Sequence, residues 1–242
     1  MRVDVECGGT HPIQKVQGEL QEAVMDLGGT LRGTWKAQCD VYRAVSKATR
    51  GSGQVLLVAS GKLTGRGEWQ PKAAKVVYGI QNAAVGESLV LVEWTHRKVM
   101  LARGPIVETL KGAGLKKTRG SLKLVANEYD LGRVIVRVGK AINEHEGKVW
   151  GVFLAITSED ALQVNDTLFL KQPLECLQRY SEGKAFHLEA LADVSEDFGL
   201  DPTYTNKHEA LQISYLTGSF LQANESKGET GGMPSAYSIF AT

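Results

Sequence analysis

Lys123 and Arg137 are the residues whose types and spacing invite chemistry first. They fall in two strand-period stretches, residues 121–127 and 133–139, joined by Glu128-Tyr129-Asp130-Leu131-Gly132. Closing a hairpin with Asn127 opposite Arg133 sets Ala126 against Val134, Leu124 against Val136 and Leu122 against Val138, a wholly apolar face. The other face then pairs Val125 with Ile135 and Lys123 with Arg137. The alternation of each strand agrees with that of its partner, which supports this register. Like charges opposed across a ladder cost roughly a few tenths of a kcal/mol, and an anion held between them relieves that cost. Lys116, Lys117 and Arg119 stand just upstream, Arg133 stands beside the pair, and Lys62 and Arg66 sit in the glycine-rich loop at residues 61–67. Together these eight side chains predict a cationic stripe for a phosphate backbone, giving affinity without sequence readout. Val125 and Ile135 occupy the places where stacking aromatics would stand, so the stripe predicts phosphate contact rather than a base platform.

The distribution of charge points the same way. Residues 51–150 carry 16 Lys and Arg against 8 Asp and Glu, while residues 151–242 carry 5 against 13. The chain as a whole is near neutral, at +1. A basic middle and an acidic end call for a polyanion, or for another copy of the chain to which the middle of one molecule offers itself.

Other chemistry finds less support. The cysteines Cys7, Cys39 and Cys176 are few, odd in number and far apart, the wrong arithmetic for a disulfide framework or a zinc site. The histidines His11, His96, His145, His187 and His208 include no pair at i, i+4. His145 between Glu144 and Glu146 reads as an exposed charged turn, because neighbours in a strand connection point different ways. No nucleophile elbow, zincin motif or phosphate-binding Gly-x-x-x-x-Gly-Lys-Ser/Thr spacing occurs. Trp69, in the basic loop, is the candidate for stacking on a base. Met1 to Gly9 lacks the apolar core of a secretion signal, and no run of about 18 apolar residues exists to span a membrane. The expectation is therefore no cofactor, no metal, no membrane, and a cytoplasmic or virion-internal location.

These residues need elements to position them. Ile13, Val16, Leu20, Val24 and Leu27 recur at helical spacing after Thr10-His11-Pro12, and Gly28-Gly29 stops the run. Val41, Tyr42, Val45 and Ala48 suggest a second helix over residues 36–49. Strand-like stretches follow at residues 55–59, 89–94, 98–102, 121–127, 133–139, 148–156 and 167–170, and the period returns to helical after Pro173. Asn206 with Glu209 three residues later is a capping-box pattern ahead of Leu211, Tyr215 and Phe220. Strands collected in the middle of a chain argue for an α+β fold with a mostly antiparallel sheet, flanked by N-terminal helices and by a C-terminal helical segment with a mobile tail. The segments are 1–53, 54–171, 172–223 and 224–242, in one compact domain.

Three functions follow from this reading, with a non-enzymatic role preferred. The first is a sequence-independent nucleic-acid-binding protein. The second is a self-assembling structural protein of virus or phage type, basic middle against acidic end. The third is an enzyme on an anionic or phosphorylated substrate, with its site near Lys62, His96 and the basic hairpin.

Overall fold

The computed structural model describes residues 2–3, 12–44, 61–63, 69–71, 76–82, 89–93, 98–102, 108, 110–111, 115–158, 168–182, 205–228 and 237–241. Strand β1 (Arg2–Val3) precedes helix α1 (Pro12–Asp26), and the long strand β2 (Thr30–Ala44) follows it. Next come β3 (Gly61–Leu63), β4 (Trp69–Pro71), β5 (Val76–Asn82), β6 (Leu89–Glu93), β7 (Lys98–Ala102) and β8 (Leu115–Lys117). Then β9 (Leu122–Asp130), β10 (Val134–Asn143) and β11 (Val149–Ser158) lead to α2 (Leu168–Ser181), α3 (Thr205–Gly228) and β12 (Tyr237–Ala241). The architecture is α+β, as the collected strands predicted.

The main sheet runs β1-β12-β11-β10-β9-β2-β5-β6-β7, with β8 also against β2, while β3 and β4 form a separate two-stranded sheet. The β11–β12 pair is parallel; the other pairs are antiparallel. Helix α3 touches β12 and β11 towards one end of this order, β2 in its middle, and β5, β6 and β7 at the other end. A helix in contact with strands from β12 across to β7 lies along the inner face of the sheet and covers it. Leu211, Leu216 and Phe220 of α3 accordingly meet Cys39, Ile80, Val92, Leu124 and Phe153 in the inner core. The buried Ser214 and Thr217 hydroxyls donate back to the Leu211 and Ile213 carbonyls at 2.6 and 2.8 Å, so polar groups enter this core already satisfied. On the outer side, α1 lies over β10 and β11, and α2 over β11 and β12. There Val16, Leu20 and Val24 pack on Val136, Val138, Val152 and Leu154.

The start of α1 fits a proline in its first turn. Its end is a left-handed Gly28 with φ 89°, whose N–H donates to the Met25 carbonyl at 2.8 Å while Gly29 donates to Val24 at 3.0 Å.

Two expectations about elements are corrected. Residues 36–44 are strand, not helix. Ala37 and Cys39 enter the inner core while Gln38 and Asp40, alternating with them, stay half-buried on the other face, and this period-two burial outweighs the helical spacing of Val41, Tyr42 and Val45. In addition, α2 begins before Pro173 and contains it, where a strand over residues 167–170 and a helix after the proline were expected. Residues 36–49 beyond Ala44, the apolar run at residues 55–59, and His96 lie outside the described residues.

The hairpin register is the consequential correction. Arg137 pairs with Glu128 and Lys123 with Ile142, a slip of five positions from the pairing read in the sequence. The connection is the short Leu131-Gly132-Arg133. Gly132 adopts φ 87°, its N–H donates to Asp130 Oδ1 at 2.6 Å, and the Leu131 N–H donates to the Val134 carbonyl at 2.9 Å. Both faces of β10 are covered, so Val134, Ile135 and Val136 are all buried, and apolar alternation had no solvent face by which to fix the pairing.

Candidate interaction surface

Because the slip is odd, it sends Lys123 and Arg137 to opposite faces of the sheet. Arg137 faces inward beneath α3. Its Nε donates to Glu128 Oε2 at 2.8 Å and its Nη1 to Glu209 Oε1 at 2.7 Å. Its guanidinium carbon stands 4.7 Å from the centre of the Trp35 ring, and Trp35 Nε1 donates to the same Glu209 oxygen at 3.1 Å. The three ionic side chains are only 14 to 19% exposed. This arginine joins β9, β10, β2 and α3, and its charge is already met by two carboxylates.

Lys123 belongs to a different group on the outer face, where Lys117 is the centre. Lys117 Nζ lies 2.9 Å from Asp40 Oδ1 and 2.8 Å from Glu144 Oε2, and Lys123 lies 3.9 Å from Glu144. Gln38 Nε2 donates to both carboxylates, at 3.0 and 3.2 Å. Burial works against the charge on Lys117, but hydrogen bonds to Glu144 and Asp40 outweigh it and hold the ammonium above its ordinary range. Burial, and then the Asp40 charge, raise the neighbouring Tyr42 phenol to about 12. An open cavity of about 470 Å³ adjoins this group, lined by Lys117, Thr118, Arg119, Ser121, Glu144 and His145.

The eight residues singled out in the sequence do not form one stripe. Lys116, Arg119, Lys123 and Arg133 are exposed; Lys117 is clamped between two acids, and Arg137 is enclosed under α3. Lys62 lies on β3 opposite Gln70, in the separate small sheet, and Arg66 lies outside the described residues. Trp69 is on β4 opposite Leu63. Sequence reading missed Asp40, Glu128, Glu144 and Glu209, the acids that neutralise the cations. For Asp40 and Glu209 the signal was hidden, because each belongs to an element distant in sequence. For Glu128 it was the register. Among the described residues no cluster of three or more His, Cys, Asp or Glu could hold a metal ion. Cys39 and Cys176 are free thiols, the former buried.

An outer face whose central ionic group is satisfied within the chain suits recognition of another folded surface. Comparison with known proteins decides which class. The family model for Med20, described as TATA-binding related factor (TRF) of subunit 20 of Mediator complex, matches residues 9–230. The chain belongs to this family. A curated relative, "Mediator of RNA polymerase II transcription subunit 20b" of Arabidopsis thaliana, is 23% identical over 215 residues, covering 86% of this chain and 89% of the relative. Among solved structures, a chain of the Schizosaccharomyces pombe Mediator head module is 12% identical with a TM-score of 0.34, covering 76% of this chain and 96% of that one. The PH1012 protein of Pyrococcus horikoshii is 14% identical with a TM-score of 0.37, covering 75% and 89%.

Membership in a family of Mediator subunits overturns the functions expected from the sequence. A phosphate-backbone binder, a virus- or phage-type self-assembling protein and an enzyme on an anionic substrate all give way to membership in the family of Mediator subunit 20. The expected partners, nucleic acid or another copy, give way with them. The physical reason lies in the cations. Charge counted along the sequence was blind to the carboxylates that folding brings to Lys117, Lys123 and Arg137. As for membranes, no helix among the described residues is long and apolar enough to cross one.

Proposed function

We propose that this protein is a subunit of a Mediator-type assembly acting in RNA polymerase II transcription, and that its contribution is a folded set of protein-binding surfaces. The family match over residues 9–230 carries the reading. The pre-formed ionic group on the outer face supports it: Lys117, held by Asp40 and Glu144, costs no further ordering when a partner docks. Its place of action is then the nucleus, in place of the cytoplasmic or virion-internal location expected from the sequence. Its partners are the other subunits. The test is depletion of this chain from a nuclear extract, followed by measurement of RNA polymerase II transcripts. Transcription falls on depletion and returns on adding back the purified protein. Unchanged transcription in a fully depleted extract contradicts the proposal.

A further inference from the structure

Two turns meet beside Lys117 and line the cavity of about 470 Å³. One joins β8 to β9 through residues 118–121, and the other joins β10 to β11 through residues 144–148. Hydrogen bonds tie them together. The Asn143 side chain, 1% exposed, donates through Nδ2 to the Arg119 carbonyl at 2.9 Å and accepts at Oδ1 from the Glu146 N–H at 2.8 Å. The Glu144 N–H donates to the Ser121 carbonyl at 2.9 Å. Gly120 lies so close to Leu221 of α3 that a methyl group there would overlap it. The walls are therefore fixed before anything enters.

The charges around the cavity leave one cation over. Both carboxylates of the outer network are committed: Asp40 to Lys117 and Gln38, and Glu144 to Lys117 and Gln38, with Lys123 at 3.9 Å. Arg119 also lines the cavity. It is exposed, and among the described residues no carboxylate pairs with it. A guanidinium presented in this way takes a carboxylate through two parallel hydrogen bonds. One surplus positive charge matches one monoanion. A phosphorylated side chain, at roughly −1.5 to −2, overcharges a cavity that Glu144 also lines. The lining speaks to size and class as well. Small-molecule sites are mostly apolar, whereas these walls carry the Thr118 and Ser121 hydroxyls, the His145 imidazole and charged groups. Polar walls and room for a side chain with its flanking main chain fit the rim of a contact between proteins.

We infer that this cavity receives an aspartate or glutamate side chain from a loop of another subunit, its carboxylate on the Arg119 guanidinium. This rests on the subunit reading above and adds a docking point and the chemistry of the partner. The contact supplies selectivity, because a neutral or basic loop leaves Arg119 unpaired.

The test uses the full chain within its purified assembly. Benzoylphenylalanine placed at position 145 is photo-crosslinked, and the attached peptide is sequenced. In parallel, wild type, Arg119→Glu, Arg119→Gln and a Lys15→Glu control on α1 are compared by co-purification. Expected are a crosslink to an acidic loop of a different subunit and about tenfold lower recovery of that subunit with Arg119→Glu, while the control matches wild type. Arg119→Gln, which removes the charge without reversing it, retains the wild-type melting temperature and shows a smaller loss. Replacing the crosslinked acid of the partner by lysine restores recovery with Arg119→Glu. A crosslink only to a second copy of this chain, or to a segment without Asp or Glu, overturns the proposal, as does equal recovery of every subunit by Arg119→Glu. In those cases the wild-type chain still recovers Mediator subunits, and the subunit reading stands. Failure of the wild-type chain to recover any Mediator subunit overturns both.

Discussion

Arg137 Nη1 lies 2.7 Å from Glu209 Oε1 and so ties the middle of β10 to the first turns of α3. The contact is enclosed, and Glu128 completes it from the neighbouring strand at 2.8 Å. Removing one member of such a group leaves charge stranded. Arg137→Met should therefore destabilise the fold by about 3 kcal/mol, read as a lower midpoint in urea. Adding Glu128→Gln should recover part of the loss, because it removes one of the two orphaned carboxylates.

The outer network predicts a smaller effect for similar distances. Lys117 is 42% exposed, so water screens its attraction to Asp40 and Glu144. Lys117→Met should cost about 1 kcal/mol or less. A double-mutant cycle with Glu144→Gln should show a coupling that shrinks as salt rises. If the Lys117 effect matches that of Arg137, burial does not govern the ranking.

Alkaline pH should weaken the fold through two acids. Burial pushes the Cys39 thiol from 9.0 up to about 12, and burial with the Asp40 charge pushes the Tyr42 phenol from 10.0 up to about 12. Between the unfolded and folded values the unfolded chain has lost a proton that the native protein keeps, so stability falls as pH rises. The loss begins near pH 9 for Cys39 and near pH 10 for Tyr42. Urea midpoints measured across that range should decline, and Cys39→Ser should flatten the lower part of the decline. Native Cys39 should also resist alkylation at pH 8 to 9, since the thiolate is the reactive form.

Gly139 marks a close approach between strands. A side chain there would meet the Val125 carbonyl and, at 2.5 Å, the Ala126 methyl. Gly139→Ala should cost about 2 kcal/mol through overpacking, measured by thermal unfolding. Ala126→Gly in the same background should restore only part, because the backbone contact with Val125 remains.

What could be read from the sequence depended on local signals. The α1 boundaries followed from Pro12 and Gly28, and strands β6 and β7 from two short apolar runs on either side of Thr95-His96-Arg97. The α+β class followed from strands gathered between helices. The hairpin register did not follow. Where both faces of β10 are covered, Val134, Ile135 and Val136 give no periodicity to orient the strand, and the short Gly132 turn decides the pairing. The slip of five positions then determined the fate of the candidate site, separating Lys123 from Arg137 and giving each a carboxylate. Asp40 and Glu209 could not be anticipated as partners, since Asp40 is on a stretch that reads as helix and Glu209 meets Arg137 from a helix 72 positions further along the chain.

The most direct measurement of the central claim is a reciprocal purification. Another Mediator subunit is tagged, the assembly is isolated after nuclease treatment and high-salt washing, and this chain is quantified by mass spectrometry. The account predicts one copy per assembly, unaffected by nuclease. Its absence, or its release together with the digested nucleic acid, would contradict the assignment of this protein as a subunit held by protein contacts.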